Sequence, residues 1–273
     1  MTDAQDTPRG TLSVQMYTFR NAHPADPSAT IAQVAGIGFK YIEPFGIGNR
    51  QQVPNARMAT AAATRRALDD HGLRVSSVHS AAPYGPETEA ILDELELIGA
   101  NLAFASWSGE VHGFDRDALS TLGSTQRFAD AMNEAAQNAS RRGIRIGYHN
   151  HFWEWNTLEN GHSAYETLLN LLDPAVFLEM DTYWVRTAGQ NPVELLERFG
   201  DRVLALHIKD GPATQEGDQV PLGGGVVDYR AALLAAPSAQ WHVLEMDRSA
   251  GDVFADVEQS AKRLIEEGLS SWE

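Results

Sequence analysis

Short apolar runs alternate along this chain with longer segments in which apolar residues recur at helical spacing. The apolar runs have the length of β-strands, and the segments between them have the 3.6-residue period of amphipathic helices. We predict strands at Leu12–Phe19, Tyr41–Pro44, Arg74–His79, Asn101–Ala105, Ile144–Asn150, Val176–Asp181, Val203–Ile208 and His242–Met246. We predict helices at Ser28–Gly36, Thr60–His71, Glu87–Ile98, Thr125–Arg142, Ala164–Leu172, Pro192–Phe199, Tyr229–Ala235 and Val253–Glu267.

Eight strands and eight helices in strict alternation predict parallel βαβ units. Eight such units close a (β/α)8 TIM barrel, an α/β fold, which we predict as a single domain over residues 11–273, with 1–10 as a disordered or extended tail. A doubly wound sheet would use the same elements, but it normally carries a glycine-rich phosphate loop after an early strand. The glycine cluster of this chain, Gly223–Gly225, lies late in the sequence, which favours the barrel.

Composition narrows the function classes. The 273 residues include no cysteine, so disulfides and thiolate ligands are excluded and a metal would need nitrogen and oxygen donors. No apolar run reaches the roughly 18 residues of a membrane span. The polar, acidic start has no signal-peptide pattern, so we expect a cytoplasmic protein. A net charge of −16 argues against nucleic acid as a partner, while the oligomeric state, including a homo-oligomer, stays open.

Four metal-type side chains lie near the C-terminal ends of four successive predicted strands: His149, Asp181, His207 and Glu245. All strand C-termini of a TIM barrel open onto one face, so these residues are expected to meet there. Two imidazoles and two carboxylates suit a divalent ion such as Mn²⁺, Co²⁺, Zn²⁺ or Mg²⁺. A single histidine in a strand is usually structural, but four suitable residues at four strand ends favour a metal site.

Strand alternation predicts a second layer nearer solvent that contains His151, Lys209 and Asp247. His151 and Lys209 are candidate acids or electrophiles, and a nearby cation would lower the pKa of Lys209. The alternative for Lys209 is an ion pair with Asp210 or another strand-end carboxylate. Three tryptophans near strand ends are candidate walls for a sugar ring or caps of the barrel core: Trp107, Trp153 and Trp184.

Five segments of the sequence resemble a known family: VQMYTFR, IGYHNHFWEW, FLEMDTYWVRTAG, LHIKDG and VLEMDR. They resemble the xylose isomerase-like TIM barrels, in particular proteins labelled sugar phosphate isomerase/epimerase. In the epimerases of that group the metal is held by Glu, Asp, His and Glu from strands five to eight. Asp181, His207 and Glu245 match the last three positions, whereas His149 stands where the epimerases have a glutamate. The resemblance leaves open whether His149 or His151 is the strand-five ligand.

The resemblance implies a divalent-metal-dependent isomerase or epimerase that abstracts a proton α to a carbonyl of a sugar or cyclitol through a metal-stabilised enediolate. Glu245 is then both ligand and candidate general base, with Glu43 or Glu154 as its partner. Glu43 is otherwise a solvated loop acid, and Glu154 part of an aromatic corner. The residues predicted to bind substrate are Gln15, His79, Trp107, Glu154, Trp184 and Arg248.

Three other functions compete with this prediction. A metal-dependent lyase or dehydratase on a keto-sugar, inosose or 3-keto-glycoside would use the same first step, and the departure at His149 favours it. An endonuclease IV-like nuclease is disfavoured because Trp184 occupies a position where that enzyme has a histidine. A non-catalytic sugar-binding barrel would have no use for the intact Asp181, His207 and Glu245. Gly223–Gly225 lies where barrels often bind phosphate, although we favour a turn or lid, and phosphorylation of the substrate stays open.

Overall fold

The computed structural model describes residues 10–23 and 26–273, and its centre is a barrel of parallel strands. The strands are β1 (Gly10–Gln15), β2 (Tyr41–Glu43), β3 (Arg74–Val75), β4 (Val78–His79), β5 (Leu102–Ala105), β6 (Arg145–His149), β7 (Val176–Asp181), β8 (Val203–Ile208), β9 (Trp241–Leu244) and β10 (Ser270–Ser271). The α-helices are α1 (Pro27–Ile37), α2 (Pro54–His71), α3 (Thr88–Ile98), α4 (Leu122–Ser140), α5 (Ala164–Leu171), α6 (Thr182–Thr187), α7 (Pro192–Phe199), α8 (Tyr229–Ala235) and α9 (Val253–Glu266).

The strands pair in the order β3-β2-β1-β9-β8-β7-β6-β5-β4, and each of these pairs is parallel. The two ends of this path, β3 and β4, are separated in sequence by only Ser76 and Ser77. One chain segment therefore pairs with β2 through its first half and with β5 through its second half, which brings the sheet round into a nearly closed barrel. The predicted α/β TIM-barrel fold is confirmed.

Some predicted bounds were wrong for local reasons. The first strand ends at Gln15 rather than Phe19, because the Gln15 side chain accepts a hydrogen bond from the Tyr17 N–H and Met16–Phe19 forms a 3₁₀ turn. The predicted strand Arg74–His79 is divided into β3 and β4. The short helix α6 was not predicted; it begins directly after β7, where the Asp181 carboxylate accepts from the Trp184 N–H.

Helix ends follow ordinary capping rules. The carboxylate of Asp26 caps α1, and Thr121 and Ser124 form a capping box on α4. Helices α2 and α3 end at Gly72 and Gly99, where φ is +67° and +83°, a region that glycine enters without steric cost. These ends fix the point at which each following strand enters the barrel.

Most of the core lies between the barrel and its helices, in one large cluster of buried apolar residues. A second cluster contains Leu102, Phe104, Leu204, Ala205 and Val243. Its members come from β5, β8 and β9, and β5 is not a sheet neighbour of β8, so they meet across the interior of the barrel. Within the described residues, the structure has no helix of the length and apolarity that a bilayer crossing requires. The predicted tail 1–10 lies outside the described residues except for Gly10, which begins β1.

Candidate active site

The four predicted metal ligands converge at the C-terminal mouth of the barrel. Asp181 on β7 is in register with His207 on β8, His149 ends β6, and Glu245 directly follows β9. His207 Nδ1 lies 2.7 Å from Glu245 Oε2 and 4.0 Å from Asp181 Oδ2. His149 Nε2 lies 4.0 Å from the same Asp181 oxygen. At most 5% of any of the four residues is exposed, so the alternation of strand side chains has placed all of them on one buried face.

Glu179, one pleat before Asp181, is a carboxylate that the site prediction missed. Its Oε2 lies 2.6 Å from His79 Nε2, 3.1 Å from His149 Nδ1 and 3.3 Å from His207 Nε2. Burial raises the pKa of Glu179, but the imidazoles of His207 and His79 outweigh burial and hold that pKa well below its usual range. Glu179 is therefore an ionised acceptor at the centre of three imidazoles.

His149 is a neutral imidazole with a defined tautomer. Burial and the neighbouring His207 lower the pKa of His149 to about 3. An ionised carboxylate can only accept, so the ring donates from Nδ1 to Glu179. Nε2 is consequently unprotonated, and it is the nitrogen on the side of Asp181.

Glu43 is buried beneath His207 rather than solvated in a loop. Its Oε1 lies 2.8 Å from His207 Nε2 and 3.3 Å from His79 Nε2. Gln15 Nε2 donates to the same oxygen at 2.7 Å, and Ser77 Oγ donates to Oε2. Glu43 and Gln15, predicted as a catalytic and a substrate-binding residue, are not among the residues that line the main cavity. Their contacts are those of groups that orient His207 from below.

Lys209 places a buried positive charge among three carboxylates. Its Nζ lies 2.6 Å from Glu245 Oε2, 2.7 Å from Asp247 Oδ2 and 2.8 Å from Asp181 Oδ2. Burial lowers the pKa of Lys209, but the three carboxylates outweigh burial and raise it well above its usual range. The alternative prediction, an ion pair with a strand-end carboxylate, is borne out with these acids in place of Asp210, and the lowered pKa expected beside a bound cation stays a prediction.

The donor set fits a divalent metal ion. Both imidazoles have one nitrogen against a buried carboxylate (Glu179 for His149, Glu43 for His207) and the other toward Asp181 or Glu245. Metal-binding histidines are typically oriented by such a second carboxylate. In addition, the buried Asp181 Oδ2 has no partner with hydrogen-bond geometry among the described residues, and its close contact is the ion pair with Lys209 at 2.8 Å. Asp181, His207 and Glu245 are spaced so that one ion can bridge them, as are His79, His149, Glu179 and His207 just below.

A cavity of about 400 Å³ opens above these groups. Of the predicted site residues, its lining contains His79, Trp107, His149, His151, Trp184 and Glu245. Its lining also contains Tyr17, Phe45, Ser106, Glu110, Arg116, Trp153 and Asp247. Burial together with His149 lowers the pKa of His151 well below its usual range, so this ring is neutral. It stacks on Trp153 at 4.1 Å between ring centroids, and its Nδ1 has no hydrogen-bond partner among the described residues.

Besides Gln15, two predicted substrate-binding residues, Glu154 and Arg248, lie outside this cavity. Glu154 accepts hydrogen bonds from the Tyr148 hydroxyl at 3.1 Å and from the His151 N–H at 3.0 Å. Burial raises the pKa of Glu154 to about 8. Glu154 instead lines a smaller neighbouring cavity that also touches Trp153. Arg248 is half exposed and forms an ion pair with Glu216 at 3.0 Å.

The residues that the site prediction missed differ in how visible they are in the sequence. Glu179 is two residues before Asp181 on the same strand, so alternation alone puts both on one face. Glu110 and Arg116 lie in and near 3₁₀ turns after β5, where no periodic pattern assigns a direction to a side chain.

The profile of the xylose isomerase-like TIM barrel family matches residues 31–271, and the chain belongs to this family. Among curated proteins, the chain is 28% identical over 192 residues to an inosose dehydratase of Clostridium botulinum (strain Alaska E43 / Type E3). That match covers 66% of this chain and 62% of the relative, so the chain spans less than two thirds of the relative's length.

Solved structures share the fold at low identity. A sugar phosphate isomerase/epimerase from Parabacteroides distasonis superposes with a TM-score of 0.75 and 22% identity, covering 97% of this chain and 96% of the other. The IOLI protein with a bound zinc atom superposes with a TM-score of 0.62 and 14% identity, covering 94% and 98%. At these identities the likeness concerns the fold alone.

Proposed function

We propose that this protein is a divalent-metal-dependent enzyme that abstracts a proton α to the carbonyl of a keto-sugar or cyclitol. The observation that carries the proposal is the paired orientation of two histidines. Glu179 contacts Nδ1 of His149, and Glu43 contacts Nε2 of His207. The other nitrogen of His149 lies toward Asp181, and the other nitrogen of His207 lies toward Glu245. His149, Asp181, His207 and Glu245 would hold the ion. A bound divalent ion would polarise a substrate carbonyl and so acidify the neighbouring C–H bond.

The residues around the cavity have separate roles in the proposed reaction. His151 lines the cavity, and its Nδ1 has no hydrogen-bond partner among the described residues, so we assign it as the acceptor of the proton. Lys209 and His207 keep Glu245 ionised: burial raises the pKa of Glu245, but these two groups outweigh burial and hold it well below its usual range. Trp153 stacks against His151 and fixes the plane of its ring.

Two reactions can follow the same proton abstraction. In an isomerase or epimerase, the outcome favoured by the sequence resemblance, the proton returns to another carbon or to the other face. In a lyase, the electron pair of the broken C–H bond forms a C=C bond, a β C–O bond breaks, and the departing oxygen takes a proton. Support for the lyase comes from the inosose dehydratase relatives and from His149 at the position where epimerases have a glutamate.

The test is solvent exchange in heavy water, followed by NMR, with Mn²⁺ present and a panel of ketoses, inososes and 3-keto-glycosides. Deuterium uptake without elimination is the isomerase or epimerase result, and loss of water or an aglycone is the lyase result. His151→Gln should slow either reaction by about 10²–10⁴-fold, the usual contribution of a general base. His71→Gln, at the exposed end of α2, is the matched control and should leave the rate unchanged. The proposal would be refuted if no member of the panel showed either exchange or elimination.

A further inference from the structure

The loop after β8, where TIM barrels commonly bind phosphate, is closed around a carboxylate of this chain. Asp210 is buried, and its Oδ1 accepts from the N–H groups of Gly211 at 2.8 Å and Val227 at 3.1 Å. Its Oδ2 accepts from the N–H groups of Gly223 at 2.8 Å and Gly225 at 3.0 Å. The four backbone donors that could bind a phosphate group are therefore already satisfied.

The close approach of this loop to Asp210 also explains one glycine of the Gly223–Gly225 cluster. A Cβ atom at Gly225 would lie 2.2 Å from both Asp210 Oδ1 and Gly211 N. The cluster thus makes a turn packed on an internal anion. An external phosphate would have to displace a carboxylate that is 1% exposed and holds four hydrogen bonds.

The mouth of the main cavity is aromatic. The described residues include three exposed large aromatic side chains, Tyr17 at 39%, Phe45 at 42% and Trp107 at 37%, and all three line this cavity. Tyr17 and Phe45 contact each other edge to face, with ring centroids 5.2 Å apart. Exposed apolar side chains gathered at one place mark a binding surface rather than a random surface. The polar groups, His149 and Glu245, are the buried ones.

We propose that the substrate of this site is an unphosphorylated sugar joined to an apolar, preferably aromatic, group that packs on Tyr17, Phe45 and Trp107. This inference rests on the proposed function, since the sugar end would occupy the His149–Glu245 side of the same cavity. An aromatic substituent gains apolar contact with these side chains, and edge-to-face or offset stacking adds to it. A phosphorylated sugar gains no backbone anion site in return.

Charged side chains also line the mouth of the cavity, so the experiment must distinguish a charged ligand from a neutral one. Arg116 lines the cavity and lies over the Trp153 ring, 4.9 Å from its centroid, so an acidic sugar is the competing substrate class. Glu110 and Asp247 line the same cavity and oppose an anion there. The neutral, apolar ligand is favoured because the aromatic residues are more numerous and the acids outnumber the cation.

The experiment measures binding of unreactive glycosides to the Mn²⁺-loaded full-length protein by calorimetry. The probes are phenyl β-D-glucopyranoside, methyl β-D-glucopyranoside, methyl β-D-glucopyranoside 6-phosphate and phenyl β-D-glucuronide. We expect the phenyl glucoside to bind about tenfold more tightly than the methyl glucoside, which corresponds to about 1.4 kcal/mol. Phe45→Ala and, separately, Trp107→Ala should reduce this preference to within about threefold. Leu234→Ala, an exposed apolar residue on α8, should leave the preference unchanged.

Equal binding of the phenyl and methyl glucosides would overturn the inference. Tighter binding of the methyl glucoside 6-phosphate than of the methyl glucoside, or of the glucuronide than of the phenyl glucoside, would overturn it too. Every probe is a glycoside without a ketone or a free aldehyde, so the result is independent of turnover. A phenyl preference with neither exchange nor elimination on the keto-sugars would refute the proposed function and leave the inference standing. Exchange or elimination without a phenyl preference would support the proposed function and overturn the inference.

Discussion

His149 donates its Nδ1–H to Glu179 over 3.1 Å, and this bond turns the unprotonated Nε2 of the ring toward Asp181. His207 is held from both sides, with Nε2 2.8 Å from Glu43 Oε1 and Nδ1 2.7 Å from Glu245 Oε2. Burial lowers the pKa of His207, but Glu179 and Glu245 outweigh burial and raise it well above its usual range. Each imidazole is thus oriented by a buried carboxylate outside the group of proposed ligands. The orientation of both rings by outer carboxylates supports the proposed metal site over a buried ion-pair network.

Replacing Glu179 by Gln should weaken metal binding without unfolding the barrel. The amide is neutral and can no longer act as the ionised acceptor of three imidazoles, so the His149 tautomer is no longer fixed. Loss of such an outer carboxylate typically costs 10- to 100-fold in metal affinity. Calorimetric Mn²⁺ titration should show this loss for Glu179→Gln and none for Glu197→Gln, an exposed glutamate on α7. Equal affinities of the two variants would show that Glu179 does not orient a ligand.

Replacing Lys209 by Met should have opposite effects on the metal-free and the metal-loaded protein. In the metal-free state the ammonium compensates Asp181, Glu245 and Asp247, so its loss leaves buried carboxylates unpaired and costs about 3–5 kcal/mol of unfolding free energy. The same loss removes a cation that competes for these oxygens. Thermal denaturation should therefore show a lower Tm without metal and a larger Tm increase on adding Mn²⁺ than in the wild type. A smaller increase would mean that Lys209 assists metal binding.

His242 should make the protein less stable in mild acid. Burial lowers its pKa to about 4, and Nδ1 lies 2.7 Å from Ser270 Oγ. As the pH falls from about 6.5 toward 4, the unfolded chain binds a proton at this position before the folded chain does. Stability is therefore complete above the unfolded pKa and falls by up to about 3 kcal/mol across that window.

The His242→Asn variant isolates this contribution, because the amide keeps a polar atom near Ser270 but does not titrate. Urea unfolding at several pH values should show a shallower loss of stability for the variant than for the wild type between pH 6.5 and 4. Parallel curves for the two proteins would show that His242 is not responsible.

Gly225→Ala should destabilise the loop around Asp210. The added methyl group would overlap the Asp210 carboxylate and the Gly211 backbone, and such overpacking typically costs about 1–3 kcal/mol. Gly123→Ala is the matched control, because its Cβ would meet nothing closer than 3.7 Å, at the Arg127 guanidinium, and it lies in the first turn of α4. Chemical denaturation should lower the stability of the first variant only. A neutral Gly225→Ala would mean that the loop is not packed on Asp210 as described.

The sequence predicted the barrel because its elements are regular. Strands and helices alternate strictly, and the strand ends put His149, Asp181, His207 and Glu245 on one face, where the structure brings them together. Bounds were least accurate where a side chain competes with the backbone. Gln15 ends β1 through its own amide, and Asp181 starts α6 by capping it.

The interatomic distances that determine the chemistry of the site could not be predicted from the sequence. In the sequence, Glu43 and Glu154 are both acids near strand ends and alternative partners of Glu245. In the structure, Glu43 contacts the His207 ring, whereas Glu154 accepts from the His151 N–H. Lys209 was expected to have a lowered pKa beside a bound cation or to pair with a strand-end carboxylate, and the sequence could not show that it contacts three of them. Glu110, Arg116 and Phe45 come from loops, whose paths depend on tertiary packing rather than on period.

Whether this site binds a divalent metal ion can be measured by calorimetric titration with Mn²⁺. The titration compares the metal-free wild-type protein with Asp181→Asn and with the control Glu197→Gln. Asp181 is buried within reach of His207 and Glu245, and its Oδ2 is paired with Lys209, the cation that competes with a metal ion for this oxygen. We expect saturable Mn²⁺ binding to the wild type and to Glu197→Gln, and loss of that binding in Asp181→Asn. Absence of Mn²⁺, Co²⁺ and Zn²⁺ binding to the wild type, or unchanged affinity in Asp181→Asn, would contradict it.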